Sequence, residues 1–194
     1  TENKGRRKLY SFNNLVATKT VEEVDFFLTK SPHCSSSLSP DHEELKHWAF
    51  SHLFDVEKVV QLDAIGLQSA LSKAGVDYID WYKSDSQGTD MRIFDSLPKN
   101  IINKILAAEF EPGIIDAYQG EDKLHNLMAY MDKEQFWITN MEIKGSQRIN
   151  QKDLASLNYI QRRSIGSFLK IAPGWCEISY LNKMDDENMT LREY

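Results

Sequence analysis

The pattern of apolar and polar positions divides the chain into short strand-like and longer helix-like segments. Segment 21–30 is dense in β-branched and aromatic residues, which predicts a strand. Apolar residues recur at helical spacing in 122–134, which predicts a helix. Further strands are predicted over 8–18, 56–62, 76–85, 107–111, 136–143 and 176–181. Because strands alternate with helices along most of the chain, we expect an α/β fold with a largely parallel sheet and helices on its faces.

Capping residues and glycines set the ends of several predicted helices. Asp41 begins a helix that we expect to run to about residue 54. Asp63 begins another, which Gly75 ends. Thr89 is a suitable N-cap for a third helix. The polar stretch 144–164 is expected to hold one short helix.

Composition narrows the classes of function. The 194 residues include 23 Lys and Arg against 29 Asp and Glu, and the net charge of −6 has the wrong sign for binding a phosphate backbone. The mean hydropathy of −0.49 argues against a membrane protein. The two cysteines, Cys34 and Cys176, are typical of a reduced, intracellular protein rather than a disulfide scaffold. We therefore expect one α/β domain over residues 1–194, located in the cytoplasm, without nucleic-acid or membrane partners.

The histidines give no metal-binding pattern. His42, His47 and His52 recur every five residues, which spreads them around a helix rather than along one face. The sequence also lacks Cys and His pairs at the spacing of zinc ligands. We expect no metal site.

The densest polar cluster at a strand end is segment 83–90. Asp85 lies at the exit of the strand predicted over 76–85, Lys83 lies two residues earlier on the same face, and Gly88 lets the backbone pass close to a ligand. Ligands of parallel sheets bind beyond the carboxyl ends of the strands. A carboxylate beside an ammonium group can position a substrate and move a proton. The same spacing also fits a structural ion pair between Lys83 and Asp85.

Blocks of sequence around this cluster follow one another in a defined order. The central blocks are Val59–Asp63 (VVQLD), Ile79–Asp90 (IDWYKSDSQGTD) and Ile93-Phe94. Upstream blocks are Asn14–Ala17, Val24–Leu28 and Ser35–Leu38, and downstream ones are Glu109, Gly120-Glu121 and Phe136. Together, over roughly residues 9–143, they resemble the FkbM-like family of S-adenosylmethionine-dependent methyltransferases.

This resemblance implies a fold and a cofactor. The fold would be a Rossmann-like methyltransferase sheet, mostly parallel with an antiparallel last strand and with helices on both faces, followed by a C-terminal extension over 144–194. The cofactor would be S-adenosylmethionine, contacted by Asp85, Gln87 and Gly88. Asp85, with Lys83 beside it, would form the catalytic neighbourhood.

The resemblance also implies an acceptor site. Ser36, Ser37 and Glu109 would border the substrate, which we expect to be a small molecule or a sugar that is methylated on oxygen. The alternatives are purely structural roles, in which both serines satisfy loop backbone groups and Glu109 pairs with a neighbouring cation. The sequence does not indicate the identity of the acceptor or the oligomeric state.

Two departures from the family pattern affect this interpretation. Gln87 stands where the family usually has glutamate, which keeps hydrogen bonding and removes a charge. No glycine-rich strand-to-helix turn precedes Leu9, so the match begins at what would be the third strand. The chain thus resembles a C-terminal part of such an enzyme. We expect either that the cofactor half lies in sequence upstream of this chain or that the protein has lost it. The alternative function is a noncatalytic α/β binding module that retains the methyltransferase fold.

Overall fold

The structure is a computed structural model that describes residues 8–184. Its strands are β1 (Leu15–Ala17), β2 (Val21–Thr29), β3 (Val56–Gly66), β4 (Trp81–Lys83), β5 (Ala107–Phe110), β6 (Phe136–Ser146) and β7 (Ala172–Asn182). Its α-helices are α1 (His42–Leu45), α2 (Leu67–Ala74), α3 (Asp90–Asp95), α4 (Lys99–Ile102), α5 (Leu124–Lys133), α6 (Gln151–Ser156) and α7 (Tyr159–Phe168). Turns of 3₁₀ helix lie at Pro32–Cys34 and Ser51–Phe54.

The first three strands form a sheet in the order β1-β3-β2. The central strand β3 is parallel to β1 and antiparallel to β2. The strands predicted over 8–18, 21–30 and 56–62 are therefore all present, the first as the shorter β1. Strand β3 is longer than predicted, because its last residues pair with β1, where Val16 lies opposite Ile65. The helix predicted from Asp63 begins only at Leu67.

The stop predicted for helix α2 is confirmed. Gly75 has a φ of 67°, in the left-handed region that favours glycine, and its N–H donates to the carbonyl oxygens of Leu71 and Ser72. This geometry satisfies carbonyl groups of the last helical turn and directs the chain toward β4.

The other four strands form a second sheet in the order β4-β5-β7-β6. Strand β4 is parallel to β5, and β7 is antiparallel to both of its neighbours, β5 and β6. Strands β4, β5 and β6 thus run in one direction and the last strand runs in the other. This sheet carries the main hydrophobic core, in which Phe94 of α3 packs edge-to-face on Phe110 of β5 at 5.3 Å between ring centroids.

The prediction of one largely parallel sheet is wrong, although the α/β class is confirmed. Among residues 8–184 the strands divide between two open sheets, and both sheets are mixed. One cause is the short connection after Ala17, which reverses the chain into β2. The other is β7, which enters between β5 and β6 and replaces a parallel pairing by two antiparallel ones.

The helix predicted from Asp41 to about residue 54 is interrupted. Asp41 does cap α1, accepting hydrogen bonds from the N–H groups of Glu43 and Glu44. The helix then ends, and the rings of Trp48 and Phe50 stack with their centroids 5.5 Å apart. Residues two apart lie on opposite sides of a helix, so this packing requires the chain to leave the helical path.

Two other segments differ from the prediction. The strand predicted over 76–85 is reduced to β4, because its ladder with β5 covers Trp81–Lys83. The polar stretch 144–164 holds parts of β6 and α7 and the whole of α6, so it is more structured than the single helix expected. Within residues 8–184, no helix is both long enough and apolar enough to cross a membrane.

Candidate functional site

A cavity of about 560 Å³ opens at the carboxyl ends of β4 and β5. Because these strands are parallel and in register, the residues that follow them lie at the same edge of the sheet. Asp85 follows β4 and Glu111 follows β5, and both line the cavity. Gln87 and Gly88 line it as well. The structure therefore brings together the three residues that the resemblance assigned to the cofactor.

Gln87 links Asp85 to the opposite wall of the cavity. Its side-chain Nε2 donates a hydrogen bond to Oδ1 of Asp85. Its Oε1 lies 3.0 Å from the hydroxyl of Tyr118, which also lies 2.9 Å from the carbonyl oxygen of Cys34. Burial raises the pKa of Tyr118 far above its usual range, so this hydroxyl keeps the proton that its two acceptors share. The result is a short chain of polar contacts that holds the Asp85 carboxylate in place.

The backbone at 87–88 is tightly constrained. Gln87 and Gly88 have φ values of 54° and 103°, both in the left-handed region. A Cβ on Gly88 would lie 3.0 Å from Cβ of Glu121 and 3.3 Å from the ring of Tyr118. These close contacts are made to neighbouring side chains, and the approach to a ligand predicted for Gly88 stays a prediction. The Gly88 carbonyl accepts a 2.8 Å hydrogen bond from the N–H of Asp122.

The predicted substrate residues Ser36 and Ser37 lie apart from the cavity lining. Ser36 is 1% exposed, and its hydroxyl donates a 2.7 Å hydrogen bond to the carbonyl oxygen of Gln87. The Ser36 hydroxyl oxygen in turn accepts a 3.0 Å hydrogen bond from the N–H of Leu38. Ser36 therefore satisfies loop backbone groups, as one alternative held, and fixes the turn that carries Gln87. Ser37 is partly buried, and the cavity wall as described does not include it.

Lys83 and Glu109 form an ion pair outside the cavity. They lie opposite each other in the register of β4 and β5, with Lys83 Nζ 3.7 Å from Glu109 Oε2. Lys83 is 61% exposed at its side chain, so this pair stabilises the fold only weakly. The structural ion pair that the spacing allowed for Lys83 is thus made with Glu109, while Asp85 contacts Gln87.

The cavity is acidic. Its acidic lining residues are Asp85, Glu111, Glu121 and Glu177. Among the described lining residues, His33 is the only basic one. Burial, reinforced by the neighbouring Asp85, raises the pKa of Glu111. Burial also raises the pKa of Glu121 to about 7, although the N–H of Ala117 donates a 2.6 Å hydrogen bond to its Oε1.

Aromatic side chains form another part of the cavity wall. Phe50 meets Trp175 edge-to-face at 6.3 Å and Phe54 at 5.7 Å between ring centroids. Phe54 in turn contacts Tyr118 at 5.5 Å. All four rings line the cavity, and Trp175 is 38% exposed, so part of its surface faces open space. The arrangement suits a ligand with an apolar body and a positively charged group.

Sequence reasoning missed Glu111 and the aromatic wall. Glu111 ends the strand predicted over 107–111 and shares a strand face with Glu109, so the strand's alternation contained the signal. The aromatic residues come from distant segments and carry no local signal. Within residues 8–184, no group of three His, Cys, Asp or Glu side chains is placed to hold a metal ion.

Comparison with known proteins does not identify the chain. No family model matches it, and it matches neither a curated protein nor a solved structure. Functional assignment therefore rests on the geometry of the cavity and on the sequence blocks that lead to it.

Proposed function

We propose that the chain belongs to an S-adenosylmethionine-dependent methyltransferase and carries its methyl-transfer site in the cavity beyond β4 and β5. One observation carries the proposal. Asp85 and Glu111, the residues that follow two parallel strands, line one cavity together with Gln87 and Gly88. Ligand sites of α/β sheets lie at this edge.

The cavity suits the proposed cofactor in size and charge. Its volume of about 560 Å³ lies within the range of small-molecule sites. S-adenosylmethionine supplies an activated methyl group on a positively charged sulfur. Carboxylates and aromatic faces are the protein groups that favour such a cation. Asp85, Gln87 and Gly88 would contact the cofactor, and Trp175 offers an aromatic face.

Asp85 is the residue proposed to take the proton of the acceptor. A general base of this kind contributes a factor of about 10² to 10⁴ in rate, and the remainder comes from positioning. The hydrogen bond from Gln87 fixes one carboxylate oxygen and leaves the other for the acceptor. Ser36 then supports catalysis indirectly, because it holds the backbone of Gln87. Lys83 and Glu109 support the two strand ends through their ion pair.

The second sheet supports the same proposal. Three of its strands run in one direction and the last strand runs in the other, which is the arrangement that the family resemblance implies. A Rossmann-like methyltransferase fold is accordingly part of the proposal. We also propose a small molecule or sugar as acceptor and a cytoplasmic location.

A noncatalytic binding module is the second candidate, and Gln87 favours it. The amide of Gln87 occupies Asp85 and the Tyr118 hydroxyl, so both polar ends of Gln87 are engaged within the protein. In this alternative the cavity binds a small molecule and Asp85 has no proton to move.

Calorimetric titration with S-adenosylmethionine tests the proposal. The titration uses the 194-residue chain and, where the encoded polypeptide is longer, that polypeptide as well. We expect one binding site for S-adenosylmethionine and a lower affinity in Asp85→Asn. Circular dichroism should show that this variant is folded. Absence of binding in both proteins would overturn the methyltransferase proposal. Binding without methyl transfer to any acceptor in a small-molecule and sugar panel would favour the binding module.

A further inference from the structure

The charge of the cavity is strongly one-sided. Four carboxylate side chains line it, from Asp85, Glu111, Glu121 and Glu177, and no Lys or Arg is among the described lining residues. Glu177 is the one of them with an ion pair in residues 8–184, to Lys144 at 3.5 Å. Asp85 and Glu111 therefore line the cavity without an ion pair to a Lys or Arg of residues 8–184.

A buried carboxyl group lies next to the turn that carries Asp85. Asp90 is 1% exposed, and its Oδ2 accepts no hydrogen bond from the part of the chain that the structure describes. Its Oδ1 accepts a 3.0 Å hydrogen bond from the N–H of Ser86, in the turn that also carries Asp85. Asp85 and Glu111 both interact electrostatically with Asp90. Burial raises the pKa of Asp90, and the neighbouring Asp85 raises it further, so a proton on this carboxyl group lowers the cost of burying it.

The aromatic wall specifies the body of the ligand. Phe50, Phe54 and Trp175 present ring surface to the cavity, and Trp175 is the most open of them toward solvent. A cation within about 6 Å of an aromatic ring centre is attracted to the face of the ring, with tryptophan the best partner. The two halves of the cavity thus favour the two parts of one molecule, a positive group near the carboxylates and an apolar part on the rings.

We infer that the cavity binds the ammonium group of an amine with an apolar body, and that this amine is the acceptor substrate. The role of the amine as methyl acceptor rests on the proposed function, whereas its binding in the cavity does not. It differs from the acceptor that the resemblance implies, which is methylated on oxygen. Asp85 and Glu111 bind the ammonium group, and the aromatic wall binds the remainder of the molecule.

Three probes of one size and three charges test the inference. They are 2-phenylethylamine, which is cationic, 2-phenylethanol, which is neutral, and phenylacetate, which is anionic. In calorimetric titrations of the full chain at pH 7 and low salt, we expect the amine to bind at least tenfold more tightly than the alcohol. The anion is expected not to bind. Equal affinities for amine and alcohol, or no binding of the amine, would overturn the inference.

Variants locate the binding site. Asp85→Asn and Glu111→Gln each remove one charge with little change in shape. Each should lower the affinity for the amine about fivefold or more. Asp132→Asn is the matched control, because its side chain is 84% exposed and is not among the lining residues of the cavity. Affinities that fall equally in all three variants would show a nonspecific charge effect and overturn the assignment to this cavity.

A separate experiment distinguishes whether the cation bound in the cavity belongs to an acceptor amine or to S-adenosylmethionine. An acceptor amine should still bind when the chain is saturated with S-adenosylhomocysteine, whose sulfur is uncharged. Competition between the amine and S-adenosylmethionine, without competition from S-adenosylhomocysteine, would place the cofactor's own cation here and overturn the acceptor assignment. If the amine binds and S-adenosylmethionine does not, the amine site stands and the methyltransferase proposal fails.

Discussion

The Ser36 hydroxyl donates a 2.7 Å hydrogen bond to the carbonyl oxygen of Gln87, 51 residues later in the chain. The Ser36 hydroxyl oxygen also accepts from the N–H of Leu38, so one buried side chain satisfies backbone groups of two loops. This contact joins the loop before α1 to the turn after β4. It makes the shape of the cavity depend on a residue outside the cavity lining.

Replacing Ser36 by alanine should therefore destabilise the protein. The substitution leaves a carbonyl and an N–H without a partner at a buried position, at a cost of about 1–3 kcal/mol. Urea denaturation of Ser36→Ala measures this cost, and Ser37→Ala is the control because Ser37 is only partly buried. Equal effects of the two substitutions would show that the Ser36 contact has no special importance.

Gln87→Glu should destabilise the protein at neutral pH. The substitution replaces a donor to Asp85 with a second carboxylate, so attraction becomes repulsion at a partly buried position. We expect a loss of about 1–3 kcal/mol at pH 7.5, reduced at pH 4 where carboxylates begin to take up protons. Thermal denaturation at both pH values measures the effect.

The chain contains a matched control for this variant. Gln61 donates a hydrogen bond to Asp25 between β3 and β2, and both of these side chains are exposed. Gln61→Glu places the same charge pair in solvent, where the effect should stay within about 0.5 kcal/mol. A Gln87→Glu variant as stable as Gln61→Glu would contradict the role of Gln87 in holding Asp85.

Local rules predicted which segments form strands but not how the strands pair into sheets. Asp85, Gln87 and Gly88 could be predicted to share a site because they follow one strand directly, and the structure places all three at the cavity. Glu111 was missed in favour of Glu109 because strand alternation fixes a face and not the residue at which pairing ends. The register of β5 with β4 decides where the pairing ends, and no local sequence pattern encodes that register.

The other wall of the cavity depends on contacts between distant segments. Tyr118 reaches the cavity through a β-bridge with Pro40 and through its hydroxyl contact with Cys34. Phe50 reaches Trp175 across 125 positions because the predicted helix from Asp41 is interrupted before it. No helical or strand periodicity encodes such packing, so sequence patterns could not predict the aromatic wall.

Glu121 should make stability depend on pH. The fold raises the pKa of this carboxyl from 4.5 to about 7, so the folded protein holds a proton that the unfolded chain has lost between these values. The contribution of Glu121 is fully present below pH 4.5 and is lost as pH rises toward 7, with a slope of at most about 1.4 kcal/mol per pH unit.

Comparison with Glu121→Gln isolates this contribution. Glutamine cannot ionise and retains an oxygen for the N–H of Ala117. The variant should therefore lose less stability than the parent chain between pH 5 and pH 7, as measured by urea denaturation at closely spaced pH values. Parallel curves for the two proteins would contradict the raised pKa.

Gly145→Ala should disrupt the pairing of β6 with β7 at a residue that lines the cavity. A Cβ at Gly145 would lie 1.9 Å from the carbonyl oxygen of Ala172, a backbone atom of the paired strand β7 that cannot move without breaking the pairing. We expect a loss of about 3 kcal/mol. Gly174→Ala is the control, because Gly174 also lines the cavity but its nearest atom beyond a Cβ is 3.5 Å away. Chemical denaturation of both variants should show a large loss for Gly145→Ala alone, and similar stabilities would contradict the close approach of β6 and β7 at this point.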